Sequence, residues 1–376
     1  IDVAHGLAKD LDSVPLADMD PAAVQHVLPA DGAFSPLWDR PEGHDIYREW
    51  RQVFNEYNPP RFAVGEAWVK AESQHLYAST DELGQVFNFE FAEANWFADE
   101  FRTAIADGLR AAEETHGSTT TWVMNNHDVP RSPSRFGLPQ VKDAPYHQLA
   151  HDWLLRDGET YRENRELGTR RARAAALMEL GLPGSAYVYQ GEELGMTNKH
   201  FDSIDPINDV MTRNAYFEKT QRCGESVADF MKAANYISRE HTRTPMHWDD
   251  TANAGFTTGT PWIPLNPNYP QINAAKQVGD PDSVYSFYRR LLALRKSDKT
   301  FVYGHYALLL PDDEEIYAYT RTLNDEQILV VCNFTDHDVP CPLLNDWQNT
   351  ELLISNYNTP GNPGSLRPFE AVVYRK

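Results

Sequence analysis

The chain has 376 residues, 41% hydrophobic and 24% charged, with a formal net charge of −21. That length calls for one large domain and a smaller one. The acidic balance argues against a nucleic-acid partner, which needs Lys and Arg to neutralise phosphates. No apolar run approaches the ~20 residues that span a bilayer, so no membrane partner is expected.

The chain opens on Ile1-Asp2-Val3-Ala4-His5-Gly6, which reads as the end of a strand, and upstream sequence is expected to be missing. An amphipathic helix is predicted over 45–57, with Ile46, Trp50, Val53, Phe54 and Tyr57 near helical spacing. Strand-length runs rich in β-branched and aromatic residues follow at Arg61 to Trp68, Val86 to Phe91, Thr120 to Asp128 and Ser185 to Glu193. Helices are predicted between them over 96–115 and 161–180, the second stopped by Gly181-Leu182-Pro183-Gly184. Strands alternating with helices imply parallel βαβ units and an α/β class.

From 197 to 280 the sequence is rich in Asp, Asn, Pro and Gly and is expected to be an irregular excursion; a closing helix is predicted over 285–296. Its character changes near 299. Ile316 to Thr322 alternates, and Gln327 to Phe334 and Glu370 to Tyr374 are β-rich, so an antiparallel β domain is predicted over 299–376, after a catalytic part over 1–298. Cys223, Cys332 and Cys341 are odd in number and make no CxxC or Cys/His pattern. They read as reduced, buried thiols of a cytoplasmic protein with no metal site and no cofactor.

Three strand ends carry an acid: Asp2, Glu66 and Asp128. In parallel α/β barrels the working residues sit just past the C-terminal ends of strands, so these three are candidates for one pocket. Cleaving a glycosidic bond with retention needs a nucleophile and an acid/base, their carboxyls about 5–5.5 Å apart. An acid after a strand is also a common helix N-cap, so spacing alone does not select this chemistry.

At these residues the chain resembles glycoside hydrolase family 13, the α-amylase family, and within it the α-glucosidase and oligo-1,6-glucosidase branch. Ile1-Asp2-Val3-Ala4-His5-Gly6-Leu7 resembles the tail of the nucleophile motif, Gly65-Glu66-Ala67-Trp68 the acid/base motif, and Asn125-Asn126-His127-Asp128 the transition-state-stabiliser motif. Tyr189 to Gly195 resembles the eighth-strand motif, and Arg243 to Asp249 the RTPMQW signature, with His247 where Gln is usual. Pro261-Trp262-Ile263-Pro264 and Asn266-Pro267-Asn268-Tyr269 follow as in the branch.

The resemblance implies a (β/α)8 TIM barrel, of which this chain carries about strands 4–8, followed by a C-terminal antiparallel β-sandwich domain. It implies Asp2 as nucleophile, Glu66 as general acid and then base, Asp128 and His127 holding sugar hydroxyls, and Arg243 anchoring the same glucose. A Val after the nucleophile goes with α-1,6 cleavage in this branch, so Val3 points to isomaltose-like oligosaccharides. Glu192 and Glu193 are equally readable as packing residues. A bell-shaped pH profile is expected of the complete enzyme, because Glu66 must be protonated while Asp2 is ionised.

The earlier strands, the lid domain and an upstream Asp/His motif of the family do not occur in this chain. It is therefore expected to need the N-terminal half of the same barrel, and to be inactive and unstable alone. Two other readings share the scaffold. One is a transglycosylase or isomerase of the trehalose synthase or sucrose isomerase type. The other is a non-catalytic homologue, against which stands the retention of all three acids.

Overall fold

A computed structural model describes residues 1–12, 35–69, 71–115, 117–142, 163–359 and 361–376. The start of the predicted helix over 161–180 lies outside them. The chain forms two compact units. One comprises Ile1–Phe91, Thr103–Trp122 and Gly184–Ala186, the other Ala92–Arg102, Val123–Pro183 and Tyr187–Lys376.

The first unit is built on short neighbouring strands. β1 (Ala63–Gly65) pairs in parallel with β2 (Gly84–Val86). Ile1 lies beside β1 in the parallel pattern: its amino group donates to the Val64 carbonyl, and its own carbonyl accepts from the Glu66 N–H. The Thr121 hydroxyl at the start of β3 (Thr121–Val123) donates to the Val86 carbonyl and accepts from the Asn88 N–H, bridging β2 to β3. β3 in turn pairs with β4 (Ser185–Tyr187).

The runs at 61–68, 120–128 and 185–193 each yield only three residues of ladder, and the remainder turns away. The run from Val86 to Phe91 needs correcting: the strand stops at Val86 and Phe89–Glu93 is helical. The cause is Asn88, whose side-chain oxygen accepts the Phe91 N–H at 3.0 Å and starts the helix. Likewise Glu192–Leu194 is a 3-10 turn, entered through Gly191 at φ 84. Leu182, extended before Pro183, caps the end of the long helix Arg165–Gly181, and at Gly184, φ 104, a Cβ would stand 2.5 Å from the Thr120 carbonyl oxygen.

A helix runs over Pro41–Asn55, with Pro in its first turn. Its buried face is Gly43, His44 and Tyr47, whereas Val53 and Tyr57 of the predicted stripe are exposed. Tyr47 joins Ala4, Ala67, Val69, Tyr77, Leu83 and Val86 in the core of this unit. Its hydroxyl donates to the Ala4 carbonyl at 2.6 Å.

His44 is the charged centre of this core. Its Nδ1 lies 2.9 Å from Glu82 and its Nε2 3.7 Å from Asp39, while Arg48 also pairs with Glu82 at 2.9 Å. Burial opposes the imidazolium, but the two carboxylates outweigh it and carry its pKa from 6.5 up to about 9. A raised folded-state pKa stabilises fully below the unfolded value and loses that contribution as pH rises through the folded one. His44→Gln is therefore expected to destabilise by roughly 1–3 kcal/mol near pH 6. The deficit should shrink as pH rises from 6.5 through about 9. Denaturant melts at both pH values measure it, and an equal deficit at both would remove His44⁺ from the explanation.

In the second unit the segment expected to be irregular carries helices Val210–Tyr216 and Val227–Ile237, with a π-helical turn over Phe217–Arg222. Asp209 and Ser226 cap the two helices by accepting from the N–H groups of Thr212 and Asp229. Phe201, Ile207, Phe230, Met231, Ala234 and Ile263 form a small core of their own here. A further helix spans Val284–Ser297.

A short helix, Lys299–Tyr303, precedes the β-rich region that was expected to begin at 299. β5 (His305–Leu309), β6 (Ile316–Leu323), β7 (Glu326–Asn333), β9 (Glu351–Ser355) and β11 (Ala371–Arg375) form one antiparallel sheet in the order β5-β6-β7-β11-β9. β8 (Val339–Pro340) and β10 (Ser365–Leu366) form a two-stranded ribbon. Val339, Leu366, Leu344 and Trp347 pack on Ile316, Ala318, Leu329, Val331 and Val372 of the sheet. The Tyr319 hydroxyl and the Arg321 guanidinium donate to the Met178 and Gly181 carbonyls, each at 2.7 Å, tying the sheet to the end of helix Arg165–Gly181. All three cysteines are free; Cys332 and Cys341 are buried as expected, but Cys223 is exposed. Among the described residues no helix is long and apolar enough to cross a membrane.

Candidate active site

The candidate residues fall into two groups, one in each unit. Asp2, Val3 and Glu66 belong to the first. After Ile1 the chain leaves the ladder: Val3 takes a left-handed φ of 46 and caps the 3-10 turn Ala4–Gly6. A β-branched residue in that region is strained, and such strain concentrates at functional sites. The turn points the Val3 N–H at Glu66, whose Oε2 accepts it at 3.3 Å. Glu66 follows directly on β1 and is half-buried.

The Asp2 carboxyl lies within hydrogen-bonding reach of the Glu66 carboxyl. Burial first, then the hydrogen bond with Asp2, push the Glu66 pKa up. Donation from Trp68 Nε1 to Glu66 Oε1 at 3.1 Å and from the Val3 N–H opposes that rise. The arrangement can hold one transferable proton beside one ionised carboxylate.

Asp128, His127 and Arg243 belong to the second unit. Asn126 Oδ1 accepts the N–H groups of both Asp128 and Val129 at 2.7 Å, a side-chain turn that sets the loop after β3. Asn125, two residues past β3, exchanges hydrogen bonds with Ser132 through its side chain. Arg131 is buried and spans from the Gln190 to the Thr242 carbonyl, both at 2.9 Å; burial draws its pKa down to about 10.

The Asp128 carboxylate is held by two guanidiniums. Arg243 Nη2 pairs with Oδ1, and Arg239 Nη1 with Oδ2 at 3.0 Å. Arg239 also reaches Asp209 at 3.1 Å. The exposed His127 ring stands 3.7 Å from Asp128, while its carbonyl accepts from Thr242 and Arg243. Arg243 is therefore brought to Asp128, and its salt bridge is made with that acid.

Two residues escaped the sequence reading. Arg239 lies in the segment read as irregular, and only its spacing of four from Arg243 hints at a shared partner. Trp68 sits inside a quoted motif, but nothing in the sequence says which atom its indole meets. Glu192 is buried, accepts from the Tyr288 hydroxyl at 2.8 Å, and burial raises its pKa to about 7. That is a packing role. His247, where Gln is usual, is also buried; its Nδ1 lies 2.9 Å from the Ile272 carbonyl, and burial lowers its pKa to about 4. Among the described residues no group of three or more His, Cys, Asp or Glu is placed to hold a metal ion.

Residues 1–304 match the α-amylase catalytic domain, and residues 306–370 the maltogenic amylase C-terminal domain. An oligo-1,6-glucosidase of Parageobacillus thermoglucosidasius is 36% identical over 89% of this chain and 58% of its own length. One from Halalkalibacterium halodurans is 34% identical over 100% of this chain and 64% of its own. Among solved structures, a Bacillus licheniformis trehalose-6-phosphate hydrolase superposes with a TM-score of 0.75 at 31% identity. A trehalulose synthase mutant soaked with trehalulose gives 0.77 at 28%. Each of these structures covers 100% of this chain, which covers 64% of theirs. The chain thus spans about three-fifths of the length of the relatives it matches.

Proposed function

This chain belongs to the α-amylase family, glycoside hydrolase family 13, and on that ground we propose that it is a retaining α-glucosidase of short α-glucosides, with isomaltose-type α-1,6 linkages preferred. The observation that carries the reading is the Asp2–Glu66 pair, a half-buried acid with a raised pKa beside a second carboxyl. In the first step Glu66 gives its proton to the glycosidic oxygen as the C–O bond breaks. Asp2 bonds to the anomeric carbon, and the aglycone leaves as an alcohol. In the second step Glu66, now a carboxylate, takes a proton from water. The hydroxide oxygen displaces Asp2 and restores the original configuration.

Asp128 and His127 are proposed to hold sugar hydroxyls, with Arg243 fixing the Asp128 carboxylate. The remaining length of the relatives is proposed to supply the earlier barrel strands and to complete the (β/α)8 barrel, to which this chain contributes about strands 4–8. Ile1, Leu7 and Phe62 of the first unit are exposed apolar side chains that such a half would cover.

Glucose release from isomaltose and maltose by the full-length protein tests the activity. A non-catalytic homologue would bind either sugar without turnover. Product analysis with sucrose separates hydrolysis from isomerisation, which the likeness to a trehalulose synthase makes the second reading.

The exposed Val3 side chain, on a residue whose N–H holds Glu66, supports a role in linkage choice. Val3→Thr is expected to shift the isomaltose-to-maltose ratio of kcat/KM toward maltose by about tenfold, the scale of one apolar contact changed in a pocket. An unchanged ratio would remove Val3 from specificity.

A further inference from the structure

We propose that Trp68 is a positioning residue for the acid/base: its indole N–H, locked by stacking on Phe89, fixes the Glu66 carboxyl in one rotamer for proton transfer. The proposal rests on the reading of Glu66 as general acid.

Glu66 has two oxygens and two donors. Oε1 accepts from Trp68 Nε1 at 3.1 Å and Oε2 from the Val3 N–H at 3.3 Å. The Val3 donor is backbone and set by the 3-10 turn. The Trp68 donor is a side chain and needs its own support. It has it in Phe89: the two rings stack with centroids 3.9 Å apart and 4° between planes. Phe89 is itself buried at the start of the helix that Asn88 caps. The Trp68 backbone is held as well, its N–H donating to His5 Nδ1 at 3.3 Å. A carboxyl gripped on both oxygens and by a stacked ring loses little freedom on reaction.

The grip also has a sign. An N–H donor favours the carboxylate over the acid. Burial and Asp2 push Glu66 toward the protonated form, and Trp68 and Val3 pull it back. Trp68 thereby strengthens Glu66 as an acid in the first step and steadies the carboxylate that activates water in the second. The titratable and charged groups around it are Asp2 on the carboxyl itself, His5 behind the Trp68 backbone, and Asp39 and Lys9, which act on His5. Burial lowers the His5 pKa below 6.5, so His5 adds no charge above neutral pH.

The test is Trp68→Phe in the full-length protein, with Glu66→Gln in parallel. Phe keeps an aromatic ring for stacking on Phe89 while removing the N–H together with one ring of the indole. The basic limb of the kcat/KM profile is expected to move up by about one pH unit, the loss of one hydrogen bond to the charged form. Turnover of isomaltose should fall by roughly 10-fold or more, and that of a nitrophenyl glucoside, which needs little protonation, by under about 3-fold. An unmoved basic limb, with equal losses on both substrates, would mean that Trp68 only packs, and would overturn the proposal. If Trp68→Phe does not fold by circular dichroism, Phe89→Leu retains the N–H and releases the stack. A smaller shift in the same direction then supports the proposal, and no shift overturns it. Full activity of Glu66→Gln would instead overturn the reading of Glu66 itself, and this proposal with it.

Discussion

Asp2→Ala is expected to lower glucose release from isomaltose by at least about 10⁴-fold, because no other group then forms the covalent bond that divides one displacement into two. On the proposed assignment of Asp2 as nucleophile, the cavity left by the missing carboxylate would face the anomeric carbon. Added azide should enter it and restore turnover of a nitrophenyl α-glucoside, giving a β-glucosyl azide by a single inversion. The anomeric form of that product, read by NMR, is the measurement. An α-configured azide, or undiminished hydrolysis without azide, would place the nucleophile elsewhere. Asp2 also raises the Glu66 pKa through their shared hydrogen bond. The same variant should therefore draw the Glu66 titration downward, a change that direct ¹³C observation of the carboxyl follows without any turnover.

The second large effect is that of Glu66→Gln. Removing a general acid costs about 10²–10⁴-fold when the leaving group needs its proton. Isomaltose, whose leaving group is a sugar alkoxide, should lose this full factor. A nitrophenolate departs unprotonated, so its release in the first turnover should be nearly unchanged. The second step still lacks its base, so the glucosyl-enzyme accumulates and a burst of nitrophenol precedes slow turnover. The pH profile tests the same assignment. Burial and Asp2 raise the Glu66 pKa, so the acid form persists to higher pH, and the rate falls on the basic side as that proton is lost. With Gln there is no proton to lose, and the basic limb should disappear. A basic limb that survives would belong to another group.

Much of this was legible in the residues themselves. The order of the motifs carrying Asp2, Glu66 and Asp128 identified the family, because several local patterns in one sequence leave few alternatives. Glycine and proline at 181–184 marked the end of the long helix, since the residue before a proline is held extended and Leu182 is so held. Alternation marked β6, whose inward residues fill the core of the C-terminal sheet. What periodicity could not reveal is how far a strand runs once a polar side chain competes for the backbone. Asn88 turns a β-rich run into a helix by taking one N–H. Apolar spacing also misplaced the buried face of the helix Pro41–Asn55, because Tyr47 is drawn inward by the Ala4 carbonyl while Val53 stays in water.

The site divides in the same way. The sequence by itself determined which acids are present and in what order. Only the tertiary structure decided that Asp2 meets Glu66, that Val3 and Trp68 each hold one oxygen of Glu66, and that Arg239 joins Arg243 on Asp128. The physical reason is range. A motif records neighbours along the chain, whereas a proton's affinity is set by burial and by donors that arrive from 63 or 111 residues away.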